Sequence, residues 1–257
     1  MSGREIRRLD AGLVEAPVGI SSTEAMWTQG VIANVIEVAT KDCTALSDSE
    51  LAEMADMSAS GTAGYEVGLL SKQREEWVLV TQARHETHLC GFAFSTLERI
   101  GGTPSLLVGV ASFSRGPEAE SSLRAVMGDL YRRALLAFPD EDVLVGTRMI
   151  DASAFRAYAG LTDVVPRPGH KASGEERAWG RRLAKRFGSE GQLDDRVFVV
   201  RGDSNPGGLL DYAPETAPIE AIDLADLFEP IDVERRDCLV AFGWAMAEDL
   251  AEAKLPE

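Results

Sequence analysis

The stretch VASFSRGPEAESSL, Val110 to Leu123, has the residue order of a phosphate-binding turn. An apolar strand passes through Arg115-Gly116 into an amphipathic helix, so the backbone N–H groups of residues 115–119 would point outward at a helix N-terminus. Unpaired donors and the helix dipole hold an anion there. Two positions in the turn are acidic, Glu118 and Glu120. A carboxylate about 4 Å from a phosphate charge costs roughly 1 kcal/mol in water and roughly 4 kcal/mol at an effective dielectric near 20. The same acidic side chains are favoured in the first turn of any helix. The sequence therefore allows a working cradle with both carboxylates turned outward, a cradle that has lost its ligand, or an ordinary helix start.

HETH, His85 to His88, brings two imidazoles and a carboxylate together. On a strand, residues three apart point to opposite faces, and the spacing is not the helical H-E-x-x-H of zinc sites, so no metal is expected. Either imidazole could still serve as a base, since histidine titrates near neutrality. There is no G-x-S-x-G elbow, and neither Cys43 nor Cys238 has a histidine nearby in sequence, so nucleophilic chemistry has little support.

Positioning these residues requires a sheet. GVIANVIEVAT (Gly30 to Thr40) reads as a strand, and TALSDSELAEMADM as a helix capped by Ser47 or Ser49. EEWVLVTQARH (Glu75 to His85), HLCGFAFSTLERI (His88 to Ile100) and SLLVGVASF (Ser105 to Phe113) read as strands, the last two forming a hairpin through Gly101-Gly102. SSLRAVMGDLYRRALLAF places Leu123, Val126, Met127, Leu130, Tyr131, Ala134, Leu135 and Phe138 on one helical stripe. Then follow a strand (Asp142 to Ile150), a short helix (Ala152 to Leu161), a charged helical stretch, a strand (Arg196 to Gly202) and a C-terminal helix over ERRDCLVAFGWAMAEDLAEAKL. Alternating strands and helices predict a mixed α/β sheet with helices on its faces.

The 257 residues carry a net charge of −16, and residues 203–257 hold 14 acidic against 3 basic residues, a net of −11. A field of that sign repels nucleic acid and anionic lipid, so neither is an expected partner. Three scattered cysteines, no signal-peptide core and no apolar run of membrane-spanning length predict a reduced, soluble, cytoplasmic chain.

The element order and the opening stretch together resemble the GNAT superfamily of acyl-CoA N-acyltransferases. Val108, Val110 and Ser112 fall at the Leu, Val and Pro of that family's strand motif, Arg115-Gly116 at its Arg-Gly, and Leu123 at the Leu of the following helix. Glu118 and Glu120 stand where the family has glycines. DASAFRAYAGL resembles a second family motif and puts Tyr158 where a general acid often protonates the departing thiolate. Its bland reading is an aromatic on the core face.

The resemblance implies an α/β (α+β) fold with a mixed, largely antiparallel sheet flanked by helices. Around the GNAT-like domain (29–203), residues 1–28, which lack a sustained period, read as an N-terminal arm, and the acidic residues 204–257 read as a C-terminal extension ending in a helix. The resemblance also implies acetyl-CoA or another acyl-CoA as co-substrate, with Val110, Ala111 and Ser112 pairing with the pantetheine and Arg115, Gly116, Pro117, Glu118 and Ala119 holding the pyrophosphate. The acceptor would be a small-molecule or peptide amine, with Tyr158 as general acid and Glu98 as the candidate base on a strand. The alternative is a catalytically silent GNAT-like binding or regulatory module. The basic cluster Arg167, Lys171, Arg177, Arg181, Arg182, Lys185 and Arg186 would be a solvated helix face, pair with the acidic C-terminal segment, or hold the CoA ribose phosphate. Phe242, Trp244, Met246 and Leu250 suggest docking of the last helix on the domain or, in a homodimer, on a second subunit.

Overall fold

In a computed structural model of the chain, residues 35–202, 208–216, 221 and 223–256 are described. The expected N-terminal arm and the start of the Gly30–Thr40 strand lie outside them. Strand β1 (Ile36–Asp42) is followed by helices α1 (Asp48–Ser58) and α2 (Val67–Glu76) and then by β2 (Leu79–His85). The expected strand from Glu75 is therefore helical at its first two residues and becomes extended only at Leu79. The β2 strand continues into β3 (His88–Ile100), β4 (Thr103–Phe113), α3 (Ala119–Ala137) and β5 (Val143–Met149). After a 3-10 helix (Ala152–Tyr158) come β6 (Thr162–Val165), α4 (Gly174–Arg186), β7 (Leu193–Asp194), β8 (Val199–Val200) and β9 (Leu210–Asp211). Then β10 (Cys238–Ala245) and the short α5 (Ala247–Ala251) end the chain.

Local chemistry explains the firmest of these elements. Ser47 Oγ accepts from the Glu50 N–H while a Glu50 carboxylate oxygen accepts from the Ser47 N–H, and Ser173 with Glu176 repeats the arrangement at α4. Each box satisfies two donors that a helix start leaves bare. Gly101 and Gly102, both at positive φ, close the β3–β4 hairpin, whose ten residue pairs run from Ile100↔Thr103 to Gly91↔Phe113.

The strands form a ten-stranded sheet in the order β1-β2-β3-β4-β9-β5-β10-β8-β7, with β6 paired to β10. It is mixed and largely antiparallel, as the resemblance implied; the parallel contacts are those among β4, β5 and β9. Alternation along β1 shows the layering. Thr40 donates to Asp129 of α3, whereas its neighbour Lys41 pairs with Glu50 of α1, so α1 and α3 cover opposite faces. One core runs through the sheet, from Met54 and Leu70 through Phe92, Phe94 and Leu107 to Phe198 and Phe242. Among the described residues no helix is long and apolar enough to cross a membrane.

The C-terminal segment departs most from expectation. The stretch read as a terminal helix is strand β10, which pairs with β5 over seven residues, Leu239↔Met149 to Ala245↔Val143. Only residues 247–251 are helical. Phe242 and Leu250 are buried within the chain and Trp244 packs edge-on to Trp179, so the side chains that suggested a dimer contact are used in its own core. A helix prediction failed here because Leu239, Val240, Ala241 and Phe242 are all buried in a strand covered on both faces, where no period-2 alternation marks the sequence.

Candidate functional site

The β4 and β5 strands run parallel and paired from Ser105↔Leu144 to Val108↔Thr147, and then part. Parting parallel strands expose backbone groups on their inner edges, the arrangement in which open sheets commonly take a ligand. In this chain the gap holds β9. Leu210 lies opposite Ala111 of β4 and Met149 of β5, and Asp211 opposite Ser112. The Ala111 N–H donates to the Leu209 carbonyl at 3.0 Å.

Side chains hold β9 in place. The Tyr65 hydroxyl donates to the Leu209 carbonyl at 2.7 Å and accepts from the Leu209 N–H at 3.2 Å. Asp211 accepts from the Ala63 N–H at 2.8 Å, and burial pushes its carboxyl above the ordinary aspartate value. Tyr212 packs edge-on to Phe113. Gly208 permits the approach: a Cβ there would run into the Val110 side chain and come 2.7 Å from the Gly109 carbonyl oxygen.

The residues expected to hold a cofactor are thus together at one end of β4. Val110, Ala111 and Ser112 are buried in the sheet, and the backbone of Ala111 and Ser112 is paired with β9. Arg115, Gly116, Pro117 and Ala119 border a cavity of about 500 Å³ at the start of α3, walled on its far side by Tyr212 and Pro214. Arg115 donates to Thr62 at 3.1 Å. The two glutamates diverge. Glu118 turns toward His85, 4.0 Å from its Nδ1, while Glu120 stays at the cavity and accepts from Arg156 at 2.8 Å. One carboxylate therefore stands at the cavity where the resemblance puts pyrophosphate.

Glu98 is not brought to the parting of the strands, whereas Tyr158 is held beside it, since Ala241 pairs with Thr147, the last residue of β5 before the strands part. The Tyr158 ring is buried, its hydroxyl donates to the Ala241 carbonyl of β10 at 2.8 Å, and burial raises its pKa well above that of a free phenol. Glu98 pairs with Ser105, at the opposite end of β4 from Arg115. At about 3.3 Å per residue the eight steps from Ser105 to Phe113 span roughly 26 Å. Its carboxylate is bonded by Arg186 Nε at 2.7 Å.

Other cations of the basic cluster also pair locally: Arg167 with Glu176, Arg181 with Asp195, and Arg182 over the Trp179 ring at 4.6 Å. None of these partners comes from the acidic C-terminal segment. His85 and His88 sit opposite each other at the β2–β3 turn, and among the described residues no cluster of His, Cys, Asp or Glu is arranged to hold a metal. All three cysteines are buried and free, and burial pushes the Cys43 thiol up to about 12.

Sequence reasoning missed Tyr65, Leu209–Tyr212 and Arg148. Two bridging residues carry no readable period, and β9 exists only because β4 and β5 part to receive it. Arg148 did leave a signal, a single charge inside the apolar run DVLVGTRMI.

No protein-family model matches the chain, and no curated sequence does. Among solved structures it is similar to the ribosomal-protein-S18-alanine N-acetyltransferase from Escherichia coli. The identity is 10%, the match covers 82% of this chain and 95% of that one, and the TM-score is 0.39. It is also similar to an aminoglycoside 6'-acetyltransferase type Ii (10% identity, 51% and 88% covered, TM-score 0.38). A third is Arabidopsis thaliana Naa50 in complex with a bisubstrate analogue, CoA-Ac-MVNAL (13% identity, 50% and 86% covered, TM-score 0.31).

Proposed function

We propose that the chain is a binding module on a GNAT-like acyltransferase scaffold, with its acyl-CoA cleft closed by its own strand β9. The observation that carries this reading is the hydrogen bond from the Ala111 N–H to the Leu209 carbonyl. It engages the backbone that the sequence resemblance assigns to pantetheine. Opening the cleft would expose Leu209, Leu210 and Tyr212, all buried. At about 1.5–3 kcal/mol for each large side chain returned to water, this exceeds the roughly 4 kcal/mol that turns a micromolar site into a millimolar one. The Glu98 carboxylate, bound to Arg186 at the far end of β4, supports the same reading, and the Tyr158 hydroxyl is engaged by the Ala241 carbonyl.

The second reading is acyl-CoA-dependent N-acyltransfer to an amine, with β9 withdrawing when the cofactor arrives. The cavity bordered by Arg115, Gly116 and Ala119 at the start of α3 favours it. Titration of the purified protein with acetyl-CoA by calorimetry separates the two. Closure predicts no binding into the millimolar range. Micromolar binding would remove the silent reading, and an acceptor screen over small amines and peptides would follow.

A further inference from the structure

Arg148 lies near the C-terminal end of β5 and is only 7% exposed. Its Nη1 donates to the Phe187 carbonyl and to the Ser189 hydroxyl, both long at 3.4 Å, and its guanidinium lies over the Phe187 ring, 4.9 Å from the centroid. Its Nε has no partner, and none of its hydrogen-bond or ion-pair partners among the described residues is a carboxylate. A guanidinium keeps its proton under all ordinary conditions, and a buried charge without a counter-charge is among the least favourable groups a fold can carry.

The side chain borders a cavity of about 310 Å³ on the face of the sheet covered by α4. Tyr65, Ser189 and Cys238 contribute neutral polar groups to the wall, and Leu209 and Val200 contribute apolar surface. The charges at the rim, Glu234 and Arg236, are exposed and of opposite sign, so among the described residues Arg148 is the buried charge of the site. The Nε–Nη2 edge, the edge that fits a carboxylate with two parallel bonds, makes no bond to a described residue.

We propose that this cavity binds a small monocarboxylate, with the carboxylate on the guanidinium of Arg148 and the organic body against Leu209 and Val200. One buried cation balances one negative charge, which favours a monocarboxylate over a doubly charged phosphate. Apart from the rim pair Glu234 and Arg236, the described wall is neutral, which favours an uncharged ligand body. The proposal goes beyond the closed-cleft reading and rests on β9 being in place, since Leu209, whose carbonyl accepts from the Ala111 N–H, forms part of the cavity wall.

Benzoate, benzamide and inorganic phosphate are suitable probes, read in the 1H–15N spectrum of the arginine Nε groups of the full chain. Millimolar benzoate should shift the Arg148 Nε signal and raise the melting temperature, and its neutral isostere benzamide should do neither. Arg148→Met keeps length and apolar volume and should weaken benzoate by about thirtyfold or more, the effect of deleting one partner of a buried charge pair. Should that variant not fold, Arg148→Lys, which keeps the charge without the forked edge, should show the loss in milder form. No shift of Arg148 Nε with benzoate up to tens of millimolar, or an equal response to benzamide, would overturn the proposal. A response to phosphate alone would overturn the carboxylate assignment. The benzoate titration is run without acetyl-CoA, and a chain that binds acetyl-CoA yet shifts Arg148 Nε with benzoate would remove the closed-cleft reading alone, so the two readings fail separately.

Discussion

At the scale of single residues, the side chains expected to do chemistry hold the fold together. Tyr158 donates to a carbonyl of β10, and removing that donor deletes a buried hydrogen bond to the Ala241 oxygen. Tyr158→Phe should therefore destabilise the protein by about 1–2 kcal/mol, read as a lower urea midpoint; an unchanged midpoint would contradict this role. Burial raises the hydroxyls of Tyr65, Tyr131 and Tyr158 above a free phenol. In the unfolded chain they release protons near about pH 10 while the folded chain still holds them. Their contribution is complete below that pH and is lost as pH rises beyond it, so wild type should lose stability more steeply there than Tyr158→Phe does. Glu118 and Glu120, the residues that first cast doubt on phosphate binding, part company, one toward His85 and one onto Arg156.

At the scale of elements, the clearest case is the start of α1. Although partial desolvation opposes it, bonds from Lys41, Ser47 and Gln82 hold the Glu50 carboxyl down at about 2. A lowered carboxyl stabilises the fold above its unfolded value, about 4.3, and that stabilisation is lost as pH falls toward the folded one. Glu50→Gln should cost about 1 kcal/mol near neutrality, and its urea midpoint should converge on that of wild type as pH approaches 2. A gap that persists at low pH would show that the carboxylate charge is not the source. This cap was legible because Ser47 and Glu50 sit three residues apart before Leu51 and Met54. The β9 strand was not, because two residues between parted strands obtain their conformation from Tyr65, Ala63 and Ala111, all remote in sequence.

At the scale of the molecule, the acidic C-terminal segment is woven into the sheet. β10 lies between β5 and β8, and β9 fills the gap beside β4. A chain ending at residue 203 should therefore fail to unfold cooperatively, because β5 loses its seven-residue partner and exposes an apolar edge. A cooperative melt for that truncation would restore the view of a separable extension. Interleaving also explains why a net charge of −11 over residues 203–257 is tolerated. Asp211 and Asp237 are buried on specific donors, Ala63 N–H for the first and Arg201 with the Gly202 N–H for the second, while many of the other described acids of the segment face water.

The sequence by itself determined the elements whose signals are local: the capped helix α1, the Gly101-Gly102 hairpin, the amphipathic α3 and the turn of Arg115-Gly116 between β4 and α3. It also determined that the sheet is mixed, since strands and helices alternate along it. Only the tertiary structure decided that β9 occupies the parting of β4 and β5, that the Tyr158 hydroxyl is bonded to a β10 carbonyl, and that Arg148 is buried beside a cavity with no carboxylate bonded to it among the described residues. These are contacts between segments tens of residues apart, and their energies come from burial and hydrogen bonding across the sheet, which no window of sequence contains.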